Sequence, residues 1–358
     1  MTFPERVQGL TQDGLLPKVA DNVLRANALI FRVLGNAKNW KGETLKKPIK
    51  YQSSGTFTSF SGLDSFTAAL TTTTTRMSYD VRAVRIPAAI GGLEAAVNRI
   101  AESQVTDLVK EEIEEKQQEL MDGMGSIGYS TGTGNSNKDP LGLGAIVDDG
   151  TDVATLGGLS RTTYPVLNAT RTGSGGTLTL NKMSTLVSAI EDGTLDSSPT
   201  LMISNPTVWD LYESLLTATV RETYSMMGYY DLGLTGGAKR ASEGLKGTAG
   251  FTVLSFRGIP YVKDRKATSQ NLFTLNEFKL DWYGLDCSVL GYKNVAPASS
   301  TIEGIYGDYP TSKFTGLAWS GWQIPPGTFG AIADIILAGQ MISWEPRRHG
   351  RLTGITSA

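Results

Sequence analysis

The strongest hydrophobic pattern in the chain runs from Leu93 to Met124. Apolar side chains recur there mostly three to five positions apart, with charged residues between them, at Leu93, Val97, Ile100, Val105, Leu108, Ile113, Leu120 and Met124. Gly91 and Gly92 precede the run, and Gly123 and Gly125 close it. This spacing predicts a single helix about 48 Å long, at ~1.5 Å of rise per residue. Such a helix is far longer than the average one in a soluble protein.

Residues 48–87 carry the pattern of a long projecting hairpin. The return strand alternates, with Met77, Tyr79 and Val81 on one face and Arg76, Ser78, Asp80 and Arg82 on the other. Before it come Phe57, Phe60 and Phe66, and then five consecutive threonines that favour extended backbone. A two-stranded ribbon is marginal by itself in water, so the Phe side chains need a partner. Either the hairpin folds back on its own core or it laps a neighbouring molecule, and we favour the second interpretation.

Residues 1–50 are predicted to form a basic arm. They hold nine Lys and Arg against four Asp and Glu, and a short amphipathic helix is predicted from Asp21 to Leu34. The long helix carries an acidic face that includes Glu111 and Glu115. The acidic face is either simply solvated, or the dock for a basic arm that carries Arg25 and Arg32.

The rest of the chain predicts a mixed α/β region that follows a loop rich in Gly and Asn. The predicted elements are a helix over Leu180–Asp192, a buried strand over Leu201–Ser204, a helix capped by Asn205 with Pro206 at its first position, a strand pair over Phe251–Val262, and strands over Leu272–Leu275 and Gly330–Trp344. Residues 228–250 are predicted to be a loop. We find no internal repeat.

Composition and charge exclude several classes of protein. With 33 basic and 35 acidic residues the formal net charge is -2, so no overall basic field draws the chain to nucleic acid. The single cysteine, Cys287, excludes an internal disulfide, and one cysteine with one histidine, His349, excludes a zinc site built on several such ligands. No secretory signal or membrane-spanning run is evident, which predicts folding in a cytosol.

One sequence motif suggests catalysis. Residues 128–132 match the G-x-S-x-G elbow of serine hydrolases, with Ser130 as the nucleophile and His349 far downstream as the base. The elbow requires a preceding strand and a following helix, whereas Ser130 follows a predicted helix and precedes a predicted loop. We expect His349 to be a solvated surface residue and Asp148 and Asp149 to form a plain turn. We therefore predict no catalytic residue, no cofactor and no metal.

The order of parts resembles the major capsid proteins of tailed bacteriophages, which have the Hong Kong 97-like fold. The resemblance covers essentially the whole chain and is most specific at residues 157–165, which read Gly-Gly-Leu-Ser-Arg-Thr-Thr-Tyr-Pro. The other similar stretches are 111–134, 142–149, Asn205-Pro206, 257–260 with Asp264, and 346–352.

This resemblance implies an α+β fold in five segments. They are an N-terminal arm (1–47), an extended hairpin loop (48–87), a spine helix with part of a peripheral domain (88–156), a mainly axial domain (157–300), and C-terminal strands shared by both domains (301–358). The resemblance also implies an icosahedral shell of pentamers and hexamers, with a portal, packaged double-stranded DNA and, as a further candidate partner, a decoration protein. It implies either a separate scaffolding protein or prior cleavage of the chain. The expected location is the virion, after assembly in the host cytoplasm, with no membrane partner.

Contacts between subunits are expected at nine side chains, namely Phe57, Phe60, Phe66, Arg76, Arg82, Arg25, Arg32, Glu111 and Glu115. Lys46, Lys47 and Lys50 lie near the hairpin, but no matching Asn and acid are identified, so we do not predict a covalent cross-link between subunits. Two alternatives remain, a shell protein of an encapsulin-like compartment and a serine hydrolase that uses Ser130.

Overall fold

The computed structural model describes residues 27–34, 37–53, 55, 59–62, 64, 71–98, 108–191, 197–216, 253–287, 293–294 and 316–356. The helices in these ranges are α1 (Ala28–Leu34), α2 (Gly92–Asn98), α3 (Leu108–Ile127), α4 (Leu143–Ile146), α5 (Leu180–Ile190) and α6 (Pro206–Leu215). The strands are β1 (Lys38–Asn39), β2 (Thr44–Lys50), β3 (Thr74–Asp80), β4 (Ala83–Gly91), β5 (Thr155–Leu156), β6 (Leu159–Ser160), β7 (Thr170–Thr172), β8 (Gly176–Thr177), β9 (Leu201–Ser204), β10 (Val253–Phe256), β11 (Ile259–Lys263), β12 (Leu272–Leu275), β13 (Asp281–Gly284), β14 (Lys293–Asn294), β15 (Leu317–Trp319), β16 (Gly330–Ile342), β17 (Gly350–Leu352) and β18 (Ile355–Thr356).

The first large sheet is organised around the long strand β16. Its order is β1-β13-β16-β15-β14, and β4 pairs antiparallel with β16 over the register from Gly91–Gly330 to Ala83–Ala338. The apolar run predicted as a buried strand over Gly330–Trp344 is confirmed, with Ile335, Leu337 and Met341 buried. Strand β4 was not predicted, because the sequence pattern assigned its first residues to the end of the hairpin.

The second large sheet has the order β10-β11-β9-β12-β17-β7 and packs against α5 and α6. The buried strand Leu201–Ser204 is confirmed, as is the helix that follows it. Asn205 caps this helix, since its side-chain oxygen accepts a hydrogen bond from the Val208 amide at 3.1 Å. Strands β10 and β11 form the predicted pair, with Arg257 and Gly258 in the turn between them.

The long helix differs from its prediction at both ends. Helix α3 continues past Met124 to Ile127, and α2 begins at Gly92, while residues 99–107 between them lie outside the described part of the chain. Leu120 and Met124 are buried in the core, as the apolar spacing predicts. Leu93 and Val97, from the same pattern, are instead 73% and 61% exposed.

Of the segment predicted as an N-terminal arm, residues 1–47, the structure describes residues 27–34 and 37–47, and helix α1 within it is packed into the core. In α1 the apolar side chains of Ala28, Leu29, Ile30, Val33 and Leu34 are all buried in the same core as α3 and the first sheet. The helix fills space between α3 and β13 that the folded chain would otherwise leave open. Residues 1–26, which include Arg25 and the first six residues of the helix predicted from Asp21 to Leu34, lie outside the described residues.

Candidate subunit-interaction surfaces

Residues 157–165, where the family resemblance is most specific, hold separate parts of the chain together. Gly157 and Gly158, both with positive φ, make the tight turn between β5 and β6, and a Cβ on Gly157 would lie 2.9 Å from the Met77 side chain. Arg161 follows and is 1% exposed. Its guanidinium donates hydrogen bonds to the carbonyls of Ala145 at 2.5 Å, Leu167 at 2.9 Å, and Asp148. One arginine therefore satisfies the backbone of two separate loops.

The turn around Asp148 is confirmed, but Asp148 itself is fully buried. Its carboxylate accepts hydrogen bonds from the amides of Gly150, Asp152 and Val153. Arg171 contacts the same carboxylate at 2.8 Å. Arg351 from β17 reaches Asp152 at 3.1 Å and so joins the loop to the second sheet. Asp148 and Asp152 therefore stabilise the fold, since an arginine or backbone amides compensate the charge of each.

Two buried acids hold α1 in place. Asp264 accepts hydrogen bonds from the Leu29 amide at 3.2 Å and from the Tyr129 hydroxyl at 2.9 Å, and burial raises the pKa of its carboxyl. Arg32 and Glu277 form a bidentate salt bridge in which both side chains are buried. The expected contact of Arg32 with a neighbouring subunit is therefore replaced by one inside its own chain.

Strands β2 and β3 form a hairpin whose base is anchored in the core. The ladder runs from Thr44–Asp80 to Lys50–Thr74, so pairing begins four residues before the predicted start at residue 48. The predicted alternation is confirmed, because Met77 and Tyr79 are buried. Tyr79 donates a hydrogen bond to the Ser343 carbonyl at 3.3 Å and meets Trp344 edge to face. Burial of this hydroxyl raises the pKa of Tyr79.

Beyond the base, the hairpin extends into solvent. Its pairing continues to Tyr51, whose amide donates to Thr73 at 3.0 Å. Phe60, near the tip, is 66% exposed. Phe57 and Phe66 lie outside the described residues, so their burial stays a prediction. Arg76 on β3 is exposed, as an intermolecular role requires.

Arg82 has an internal role that was not predicted. Its guanidinium donates hydrogen bonds to the carbonyl of Gly132, at 2.8 Å, and to the carbonyl of Asp139. These bonds hold together the two ends of the loop between these residues. Within that loop Asn135, Ser136 and Asn137 all have positive φ. Arg82 thus holds its own loop through one guanidinium nitrogen, and its contact with another subunit stays a prediction.

An exposed apolar patch lies where α2 meets the start of β16. We call it the α2 patch, and it consists of Leu93, Val97, Ile324, Phe329 and Ile332, whose side chains are 48–77% exposed. The Gly92 amide donates to the Phe329 carbonyl at 2.9 Å, which brings the helix and the loop together. Large contiguous apolar patches on soluble proteins usually mark contact surfaces. The apolar spacing identified Leu93 and Val97 as members of the helical pattern, without indicating what they face.

The acidic face of α3 is solvent-accessible. Glu115 is exposed, and Lys116 beside it pairs with Glu119 at 3.0 Å and Glu112 at 3.9 Å. Glu111 belongs to the same helix, but its side chain lies outside the described residues. Residues 1–26, the larger part of the predicted basic arm, lie outside the described residues, so docking of the arm on this face stays a prediction.

The hydrolase interpretation of Ser130 finds no geometric support. Ser130 follows helix α3 instead of a strand, and its hydroxyl oxygen accepts a hydrogen bond from the Gly132 amide at 3.1 Å. The expectation that His349 is solvated is wrong, because it is 0% exposed. Its Nδ1 accepts from the Asn276 amide at 3.3 Å, and its Nε2 lies 3.0 Å from the Ser343 hydroxyl. His349 is thus a core residue that joins β17 to the end of β16.

Burial lowers the pKa of His349 from 6.5 to about 4. As the pH falls, His349 is therefore protonated in the unfolded chain before it is protonated in the folded chain. The free energy of unfolding should fall as the pH drops from 6.5 to about 4 and then level off. We expect His349→Gln to remove up to roughly 3 kcal/mol of this pH dependence, at 1.36 kcal/mol per pKa unit. Urea unfolding at a series of pH values checks this, and an unchanged slope in the variant would contradict it.

The described residues contain neither a membrane-spanning helix nor a cluster of metal ligands. No helix among them is long and apolar enough to cross a bilayer. Within the same residues, no group of three or more His, Cys, Asp or Glu side chains is arranged to hold a metal ion.

The chain is similar in structure to several shell proteins. It matches a subunit of the capsid asymmetric unit of cyanophage A-1(L) with a TM-score of 0.71 and 14% identity, covering 99% of this chain and 100% of the other. It matches the capsid of Myoviridae phage XM1 with a TM-score of 0.56 and 12% identity, covering 99% of each chain. It also matches the holo-SrpI encapsulin of Synechococcus elongatus PCC 7942, with a TM-score of 0.55 and 9% identity, covering 99% of this chain and 96% of that one.

No protein-family model matches the sequence, and no curated protein sequence matches it either. The mixed helix and sheet architecture is nevertheless that of phage capsid proteins over almost the whole chain. The predicted resemblance to this class of fold is confirmed.

Proposed function

We propose that this chain is the major capsid protein of a tailed bacteriophage and that it self-assembles into the icosahedral shell around double-stranded DNA. The observation that carries the proposal is the whole-chain match to a cyanophage capsid subunit. The encapsulin match supports a second candidate, a compartment shell that encloses cargo protein. The phage assignment is favoured because the cyanophage subunit is the more similar of the two.

The proposal assigns the segments as in the Hong Kong 97-like fold. Residues 48–87 are the extended loop, α2 and α3 belong to the spine helix, the sheet around β16 lies in the peripheral domain, and the sheet around β9 forms the axial domain. A hairpin with an anchored base and an exposed Phe60 suits a loop that laps the next subunit. The α2 patch supports the same conclusion, because assembly would remove its apolar surface from water.

The activity is physical in nature and involves no catalysis. Each subunit contributes modest contacts at several interfaces, and repetition around pentamers and hexamers makes the shell stable. The partners are copies of the chain, a scaffolding protein, a portal and DNA held without sequence specificity, with a decoration protein as a further candidate. The location is the virion, after assembly in the host cytoplasm.

Sedimentation of the chain expressed with its scaffolding protein, followed by negative-stain microscopy, tests the proposal. We expect uniform closed particles of megadalton mass. A species near 38.3 kDa under the same conditions would contradict the proposal. Among closed particles, packaged DNA supports the capsid, and a lumen filled with cargo protein supports the compartment.

The α2 patch gives a point-mutation test of self-assembly. We expect Leu93→Ser with Phe329→Ser to lower the yield of closed particles at least about tenfold, because each fully buried apolar side chain contributes roughly 1.5–3 kcal/mol. Both side chains are more than 70% exposed in the single chain, so the variant should remain folded by circular dichroism. Leu180→Ser, at an exposed position on α5, is the matched control. Particle yield equal to wild type would show that the patch is not an interface.

A further inference from the structure

A cleft at the base of the hairpin has the properties of a docking site for an acidic side chain. Its volume is about 330 Å³, and it is lined by residues 47–50, 166, 167, 344, 345 and 347. Small-molecule sites span ~300–1,000 Å³, so this cleft is large enough for side chains but too small for a folded element. It does not belong to the α2 patch or to the hairpin tip.

The charge of the cleft is strongly one-sided. Lys47, Lys50 and Arg347 are exposed, and among the described residues none of them forms a salt bridge. The only acid in the lining, Glu345, is already neutralised by Lys279 at 3.2 Å and Arg348 at 3.6 Å. Three basic side chains therefore converge on a cleft whose single carboxylate is engaged elsewhere.

The lining of the cleft combines its basic side chains with an apolar part that is partly preorganised. Lys47 lies over the Trp344 ring with its Nζ 5.4 Å from the ring centroid, and the indole donates to the Tyr283 hydroxyl at 3.3 Å. Ile49 and Val166 complete the apolar part of the lining. These apolar side chains leave less water beside an ion pair formed in the cleft, which strengthens it. They also fit the methylene groups of a glutamate side chain, whereas the backbone phosphates of DNA offer no comparable apolar surface.

The chain itself carries the complementary surface. On α3, Glu112, Glu115 and Glu119 project from neighbouring turns with Lys116 as the only base among them, and Glu115 forms no salt bridge among the described residues. No residue of α3 lines the cleft of its own chain. We propose that the cleft at the hairpin base binds the Glu112–Glu115 face of α3 from a second copy of this chain. This inference rests on the proposed function and specifies one contact of the shell.

Charge reversal on each side, and on both together, tests the contact. We expect Lys50→Glu with Arg347→Glu, and separately Glu112→Lys with Glu115→Lys, to lower particle yield at least about tenfold, because like charges then face each other. A chain with all four reversals should recover to within about threefold of wild type, since the attraction returns with inverted sign. Lys46→Glu on the same strand and Glu191→Lys after α5 are matched controls outside the contact, and both should assemble normally.

The outcomes separate this inference from the proposed function. Wild-type particles with normal assembly of either double variant overturn the contact and leave the shell function standing. Impaired double variants without recovery in the fourfold variant overturn it as well, because the two surfaces then have different partners.

If the wild-type chain forms no particles, the proposed function fails. The contact can then be tested separately, by measuring the binding of a labelled peptide of residues 108–127 to the full-length chain by fluorescence anisotropy. We expect saturable binding that weakens at least about tenfold with Lys50→Glu and Arg347→Glu or in high salt. No binding, or binding that neither change affects, overturns the inference.

Discussion

Replacing Arg161 by Met is expected to destabilise the folded subunit by roughly 2–6 kcal/mol, because it leaves the buried carbonyls of Ala145 and Leu167 without a donor, at about 1–3 kcal/mol each. The third carbonyl that the guanidinium contacts, that of Asp148, keeps a hydrogen bond from the Ala169 amide at 3.0 Å. Methionine fills much of the volume but donates no hydrogen bond. Urea unfolding of the unassembled chain, followed by tryptophan fluorescence, measures the loss.

Two further variants make this prediction specific. Arg161→Lys keeps the charge but has a single nitrogen to share among carbonyls in two loops, so we expect it to recover only a small part of the stability. Arg85→Met is the control, because Arg85 is 72% exposed and lies 3.9 Å from Asp334. A loss at Arg161 no larger than the loss at Arg85 would show that the hydrogen bonds of Arg161 contribute nothing.

Replacing Arg32 by Met is expected to cost about 3–5 kcal/mol, because it leaves the buried carboxylate of Glu277 without its partner. Glu277 would retain only the Thr200 hydroxyl, at 3.2 Å, among the contacts described here. The pair Arg32→Met with Glu277→Gln should be more stable than Arg32→Met alone, since the double variant buries no unpaired charge.

A double-mutant cycle by chemical denaturation measures the coupling between the two side chains. If the effects of the two substitutions on the free energy of unfolding were additive, the salt bridge between Arg32 and Glu277 would not stabilise the fold. The same cycle tests whether residues 27–40 belong to the core: if α1 were a detachable arm, none of these changes would alter the unfolding of the remaining chain.

Local signals explain what the sequence predicted well. Strand β9 and the Asn205 cap depend on neighbouring residues, as does the turn at Arg257 and Gly258, and each was predicted where the structure has it. Strand β16 was also predicted, because its second half is buried on both faces and is therefore apolar at almost every successive position.

Long-range contacts explain what the sequence did not predict. His349 sits in a basic stretch that suggests solvent, yet distant residues Asn276 and Ser343 enclose it. The residues around Arg161 were singled out as specific, but its role depends on carbonyls brought together only by folding. A lone arginine between a Gly-Gly turn and a Tyr-Pro step is a signal that was available, although it does not identify the partners.

The candidate contact surfaces were predicted in part. Helical spacing identified Leu93 and Val97 as members of one face, but the pattern is the same whether that face meets its own core or another subunit. Phe60 is exposed as expected, whereas Arg32 and Arg82 are engaged within the chain. Charge and spacing indicate that a side chain needs a partner, and only the folded chain indicates whether it already has one.

A single-particle reconstruction of the assembled particles is the decisive test of the proposed shell. We expect a closed icosahedral shell in which residues 51–73 of each hairpin lie on a neighbouring subunit and the α2 patch is covered by another copy. Particles that are open or irregular, or a closed shell in which the hairpin packs on its own subunit and the patch faces solvent, would contradict it.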